Sequence, residues 1–236
     1  YASARSSALA GIEGILQEPG DNGISAALQQ FWSAWQGASN QPDDVTAKGL
    51  VLQAGNDLAS KVSSSYRALE TQWSSVRGQA ESAVQIVNAA ATQVAAYNTT
   101  IRSTVAAGGS ANELIDARAK LTETISRLTG GTVREQTDGT VDIHVGGNAL
   151  VMGSSVRALA LSGSQATDQL GASVQLAWSD RPGAAIAVAD GEIAGALSVL
   201  APAAKGGALD AAAQSLNTFT EGLRNAVNAL HFGGRK

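Results

Sequence analysis

Residues 44–106 read DVTAKGLVLQAGNDLASKVSSSYRALETQWSSVRGQAESAVQIVNAAATQVAAYNTTIRSTVA. Within them Val62, Tyr66, Leu69, Trp73, Val76, Ala80, Ala83, Val87, Ala90, Val94, Tyr97 and Ile101 recur in alternating steps of four and three residues. No proline interrupts the run. This spacing predicts one continuous helix with a coiled-coil-like seam. At about 1.5 Å per residue it spans roughly 90 Å, whereas an ordinary globular helix has about 11–12 residues. A rod of this length is a mechanical element. Gly49, Gly55 and Gly78 lie inside it, each costing about 1 kcal/mol relative to Ala; they mark close neighbours or bends. Asp43 reads as the N-cap, and Asp44 suits the positive end of the helix dipole.

Working outward, residues 1–16 form a first helix with Ala8, Ile12, Ile15 and Leu16 on its apolar side. Glu18 to Gly23 is dense in turn formers. A second helix, about 24–38, is amphipathic through Ile24, Leu28, Phe31, Trp32 and Trp35. Beyond the rod and its stop at Gly108-Gly109, Ser110-Ala111-Asn112-Glu113 reads as a capping box. The helix it opens carries Leu114, Leu121, Ile125 and Leu128, and Gly130-Gly131 ends it.

The hydrophobic period then falls to two. Thr132–Gln136 and Thr140–Val145 are expected to pair around Thr137-Asp138-Gly139. Val141, Ile143 and Val145 share one face, and Thr140, Asp142 and His144 the other. Further strands are expected at Ala149–Met152, Val156–Leu161, Ser173–Trp178 and Ala184–Val188, with a polar loop over Ser162–Ala172. Helix returns near Ile193 and breaks at Pro202 and Gly206-Gly207. The last helix, 208–230, carries Leu209, Ala213, Leu216, Phe219, Leu223, Val227 and Leu230, and returns beside the rod. The expected class is α+β, mainly α: an elongated antiparallel helical bundle around one very long helix. The bundle takes residues 1–129 plus 191–236, and 130–190 form a small β-rich insert.

Composition narrows the function. The net charge is -4, 15% of residues are charged, and no Lys/Arg run exists. Nucleic acid and anionic membrane are therefore poor partners. Without cysteine there is neither a disulfide framework nor a thiolate metal site. No apolar run approaches the roughly 20 residues of a membrane-spanning helix. The opening Tyr1-Ala2-Ser3-Ala4-Arg5 lacks the parts of a signal peptide and reads as the interior of a longer protein.

Catalytic motifs are absent: no GxGxxG, Walker A, HExxH, GxSxG or EF-hand loop occurs. His144 and Asp142 share a strand face, which suggests two metal ligands but reads better as a solvated polar face. His231 follows the last helix and suits its C-terminal end. Asp116 and Arg118 suggest a general acid and its modulator; a structural ion pair, or a hydrogen bond to a neighbouring segment, is the better reading. Glu13, Glu18 and Asp21 read as a solvated acidic loop, and Trp32 and Trp35 as core anchors rather than a ligand platform. Asn98-Thr99-Thr100 matches a glycosylation sequon by accident of a continuous helix. No catalytic, cofactor-binding or metal-binding residue is assigned, and no cofactor is implied.

Several segments in order resemble one family. Gly23 to Trp32 is similar to a Gly-Leu-x-x-x-Leu-x-x-Phe-Phe segment, and Ala38-Ser39-Asn40-Gln41-Pro42 to an Ala-x-Asn-x-Pro turn. Val87-Asn88 and Gln93 to Asn98 follow Ile-Asn and Gln-Ile-Ala-x-Leu-Asn spacing. Asn112 to Arg118 resembles an Asn-x-Leu-Leu-Asp-x-Arg run. Asp138 to Val141 and Ala149 to Val151 look like the family's first β-segments, and Val227 to His231 like Val-Asn-x-x-His. These are patterns of the flagellar hook-associated protein 1 family, whose members form the first hook–filament junction. The chain departs from the pattern at Lys48, Ala119 and an apparent insertion over Ala203–Gly207.

The positions carrying the resemblance are expected to be structural: Phe31, Trp32, Asn40, Pro42, Asn88, Asn98, Asn112, Leu114, Asp116, Arg118, Asn228 and His231. The resemblance implies a non-catalytic flagellar subunit, extracellular, exported through the type III apparatus, and here lacking the terminal helical segments. The partners it implies are copies of itself in a ring, hook protein, the second junction protein and an export chaperone. A second junction protein or a flagellin-like filament subunit is the neighbouring alternative. A coiled-coil interaction module explains the rod but not the insert. An enzyme would have to centre on Asp116.

Overall fold

A computed structural model describes residues 1–18, 20–165 and 170–233. Helix α1 spans Ala2–Leu16, α2 Ile24–Asn40 and α3 Val45–Ala106. The expected rod is thus a single helix of 62 residues. Its N-cap is Asp44 rather than Asp43: Oδ1 of Asp44 accepts from Thr46 N at 2.7 Å, and the turn Asp44 N to Gln41 O leaves Asp43 outside.

The buried seam of α3 runs through Leu58, Ser65, Leu69, Trp73, Val76, Ala80, Val84, Val87, Ala91, Val94, Asn98 and Ile101, with Val62 half-buried between the first two. These steps average about 3.6 residues, the repeat of a straight helix, instead of the 3.5 of a supercoil. The seam therefore drifts: Val84 is buried where Ala83 was expected, and Ala83 is half-buried. The drift falls where α3 changes neighbours. Before it, α3 packs with α1, α2 and the last helix, against Ala8, Ile12, Phe31, Leu209, Ala213 and Leu216. After it, α3 packs under the strands and the fourth helix. Of the rod glycines, only Gly55 has a close neighbour, since a Cβ there would lie 3.5 Å from the Phe31 ring. Gly49 and Gly78 face open space.

Helix α4 spans Asn112–Thr129. No capping box forms. The turn that closes α3, with Gly108 at φ 78 and Gly109 N bonded to Thr104 O, delays the helix by one residue. Ala111 is the N-cap without a side-chain bond, and Glu113 instead supplies charge in the first turn. Gly130 closes α4 in the left-handed conformation, as expected.

Two antiparallel meanders follow. The first contains β1 (Thr132–Glu135), β2 (Val141–Val145), β3 (Asn148–Met152) and β4 (Ser155–Val156). The second contains β5 (Leu159–Gly163), β6 (Val174–Trp178) and β7 (Arg181–Ala185). The β1–β2 hairpin pairs as expected, with Val133 opposite Ile143, and Val141, Ile143 and Val145 are buried. Thr140, assigned to the opposite face, is buried as well, its hydroxyl and amide both bonded to Asp138 Oδ1.

The strand expected at Val156–Leu161 is two strands in two sheets. Arg157 N bonds to Leu150 O, which ends the first meander, and Ser179 N bonds to Ala158 O, which begins the second. Ser162 and Gly163 extend β5 rather than open a loop, and 166–169 of that expected loop lie outside the described residues. The strand expected at Ala184–Val188 starts earlier, at Arg181, because a tight turn follows Trp178; Pro182 is tolerated there because β7 is an edge.

Helix α5 spans Gly191–Leu200. A 3-10 turn at Ala203–Lys205 follows Pro202, and α6 spans Ala208–Gly233. The helix-to-strand exit at Gly130 and the strand-to-helix return at Gly191 lie side by side. A Cβ on Gly191, which has φ 89, would stand 2.6 Å from Gly130 N, so neither position admits a side chain without strain. Among the described residues no helix is long and apolar enough to cross a membrane.

Candidate functional site

Burying a polar side chain costs free energy unless every donor and acceptor finds a partner. Helix α3 buries one carboxamide completely, that of Asn98. Its Nδ2 donates to Val141 O and Gly153 O, both at 2.8 Å. Its Oδ1 accepts from Val141 N at 3.0 Å and from Arg118 Nη1 at 2.8 Å. Two donors and two lone pairs are thereby all used. Ten residues earlier in the chain, Asn88 does the same with fewer partners. Nδ2 donates to Leu159 O at 2.9 Å, and Leu159 N donates to Oδ1 at 2.8 Å.

Each asparagine therefore pairs with one strand peptide as a neighbouring strand would. Asn98 grips the first residue of β2, and Asn88 the first residue of β5. Only a carboxamide suits these positions. A carboxylate of the same shape would set an acceptor against the carbonyls of Val141 and Leu159.

Arg118 completes the clamp from α4. It is 5% exposed, and Nη1 also donates to Gly139 O at 2.8 Å, in the β1–β2 turn. Burial pushes its guanidinium below the usual range, and the Glu135 carboxylate acts in the opposite sense. Asp142 joins the hairpins, accepting from Gly153 N at 2.9 Å and from Gln136 Nε2 at 2.7 Å. Hydrogen bonds from Thr140 hold the neighbouring Asp138 carboxyl below its ordinary range. Helix, hairpin turn and β3–β4 turn are thus tied at one point. The arrangement positions backbone and presents no nucleophile, and among the described residues no three His, Asp or Glu side chains form a metal-binding group.

The remaining sequence-derived positions scatter. Phe31 is buried against Gly55, its ring 5.1 Å from Trp32 and 5.8 Å from Trp35, and both tryptophans are half-buried. Asn40 is the exposed last residue of α2, and exposed Pro42 borders a shallow depression with Trp35, Val51 and Leu52. Asn112 is exposed at the start of α4, and Leu114 is half-buried. Asp116 is exposed and makes no ion pair with Arg118, so the two are not a unit. Asn228 lines an apolar groove between α3 and α6 with Leu58, Val62, Phe219 and Val227. His231 is exposed with its ring 6.4 Å from Phe232. The Asn98 sequon is closed to modification because its amide is enclosed.

Sequence reasoning missed the role of Glu18, whose Oε1 accepts from Ser25 N at 2.8 Å and so caps α2 from upstream. Its place just ahead of a helix whose N-cap is Gly23 was the available signal.

Comparison with known proteins identifies the family. A family model described as "Flagellar hook-associated protein FlgK helical domain" matches residues 9–236. Flagellar hook-associated protein 1 of Bacillus subtilis is 26% identical over 154 residues, covering 61% of this chain and 30% of that protein. Its counterpart in Salmonella typhimurium is 30% identical over 158 residues, covering 66% of this chain and 28% of that protein. The chain therefore spans less than a third of the length of these relatives. The solved structure of the flagellar hook junction protein FlgK from Burkholderia pseudomallei shares the fold. It has a TM-score of 0.67 and 23% identity, covering 83% of this chain and 36% of that one. The match over nearly the whole length, on a single long helix with small sheets docked to its side, places the chain in the FlgK family of flagellar hook-associated proteins.

Proposed function

We propose that this chain is a non-catalytic part of the subunit that joins the flagellar hook to its filament. The observation that carries the reading is the long α3 with two sheets fixed to it by side chain–backbone clamps, in a chain matched by the hook-associated family over residues 9–236. A helix of 62 residues is a strut, and its clamps use polar side chains for position rather than reaction. On this reading 1–129 with 191–236 form the shell-type helical body, and 130–190 form an outward-facing insert. The family-motif residues Asn88, Asn98 and Arg118 hold the two together. Copies associate side by side around a tube, through head-to-tail surfaces that close into a ring. Hook protein lies on one side and the second junction protein on the other, and an export chaperone engages the subunit before assembly. The subunit leaves the cell by type III export and resides in the extracellular flagellum.

The test is a chimera. The Salmonella typhimurium protein has the region it shares with this chain replaced by residues 1–236, in cells lacking their own copy. Filaments retained on hooks and restored swimming are expected. A stable, exported chimera that leaves filament subunits shed into the medium refutes the reading.

A further inference from the structure

Three steps in this chain place an Asn or Asp directly before glycine among the described residues: Asn22-Gly23, Asp138-Gly139 and Asp190-Gly191. Such steps invite attack by the glycine backbone nitrogen on the preceding side-chain carbonyl, because no Cβ obstructs the approach. The structure treats the three differently. Asp138 is bound by the Thr140 amide and hydroxyl, and Gly139 is held at φ 83 with its carbonyl on Arg118. Asp190 accepts from Gly191 N, and Gly191 is wedged against Gly130 at φ 89. Both side chains are also carboxylates, which resist nucleophilic attack when ionised.

Asn22 is a neutral amide, exposed, in a turn, and its side chain makes no hydrogen bond among the described residues. Gly23 has an ordinary φ of -77. One backbone bond, Gly23 N to Gly20 O at 3.0 Å, holds the attacking nitrogen, and Gly23 is otherwise buried only beneath the flexible Glu18 side chain. Turns of this kind open locally at little cost in free energy. No other asparagine in the chain precedes glycine.

We propose that Asn22-Gly23 is a self-modification site. Gly23 N loses its proton to base and bonds to Asn22 Cγ. The bond from Cγ to the side-chain nitrogen breaks, and ammonia leaves. Water then opens the cyclic imide at either carbonyl, giving aspartate or isoaspartate. The balance is one water consumed and one ammonia released, without redox change.

The position gives the reaction a structural consequence. The new carboxylate appears beside Glu18 and Asp21, at the start of α2. In the isoaspartyl product an extra backbone carbon precedes Gly23, the N-cap of α2. The Glu18 carboxylate that caps Ser25 lies against the Gly23 backbone; a Cβ there would meet its oxygens within 2.9 Å. Lengthening the chain at this point displaces that cap and the buried Ile24 beside it. The helix that seats Phe31 thus carries a slow chemical clock at its entry.

The purified 236-residue chain is incubated in mildly alkaline buffer at physiological temperature, natively and in concentrated urea, and mapped by peptide mass spectrometry. The probe for isoaspartate is methylation by protein isoaspartyl methyltransferase. Expected are the amide-to-acid mass change and methyl acceptance in the native peptide containing Asn22, faster than in the peptides containing Asn40 or exposed Asn148, and loss of both in Asn22→Gln. Conversion in urea but not in the native chain shows that the Gly20 bond closes the site, and overturns the proposal. Equal conversion of all exposed asparagines, or none at Asn22 in either condition, overturns it as well.

Discussion

The two halves of α3 are held by different physics. Up to Ala80 its neighbours are mainly helices, with Val174 of β6 at the margin, and the contact is chiefly a row of apolar side chains that includes Leu58, Leu69, Trp73 and Val76, with a polar tie from Arg77 Nε to Ser164 O at 2.9 Å. Lys61 reaches Gln17 only at the exposed rim of that contact. From Val84 onward the buried apolar residues shrink to Val, Ala and Ile, and the strands come close enough for Asn88 and Asn98 to bond their backbones. Helix packing by ridges and grooves tolerates sliding. A sheet docked through its own peptides does not, because a one-residue slip would leave buried donors and acceptors without partners. The first half supplies burial, and the second supplies register.

The largest expected effect lies in the first half. Trp73→Ala empties a fully buried site and should cost about 3–5 kcal/mol in urea unfolding. Hydrogen exchange should then rise in α1, α2 and α6 before it rises in the strands. Asn98→Ala should cost about 3–4 kcal/mol, since it strands Val141, Gly153 and Arg118 at once, and here the strands should exchange first. Identical exchange patterns in the two variants would erase the distinction between the halves. Arg118→Met keeps the stem but leaves Asn98 Oδ1 and Gly139 O short of a donor, at about 2–3 kcal/mol. The Arg118 and Asn98 losses should be less than additive, which a double-mutant cycle reads directly. Asn88→Ala removes two bonds at a half-buried site and should cost about 1–2 kcal/mol, with β5–β7 loosened and β1–β4 spared. Smallest is Gly78→Ala, which meets open space in a helix interior and should stabilise by about 0.5–1 kcal/mol.

These contrasts follow what was and was not legible in the sequence. The extent of α3 was readable because its apolar period persists without proline. The β1–β2 hairpin was readable because Val141, Ile143 and Val145 alternate with polar residues. The drift from Ala83 to Val84 was not, because alanine and valine at adjacent positions fit either period. The division between β4 and β5 was hidden for a similar reason. The run from Val156 to Leu161 contains no turn former, and only the long-range bonds of Arg157 and Ser179 divide it.

Asn88, Asn98 and Arg118 stood out through family resemblance, while their partnership did not. The bonds from Asn98 to Val141 and from Asn88 to Leu159 cross 43 and 71 residues, beyond the reach of any local pattern. Asp116, which shares a motif with Arg118, lies on the solvent side because two residues along a helix turn a side chain by about 200°.

Asn88 and Asn98 stand about 15 Å apart along α3 and about 80° apart around it. A plate bolted to a shaft at one point can swivel; bolts at different heights and azimuths remove that freedom. Torque applied to the strands would therefore pass into α3 through both hydrogen-bonded points, and the rod and its sheets would turn together.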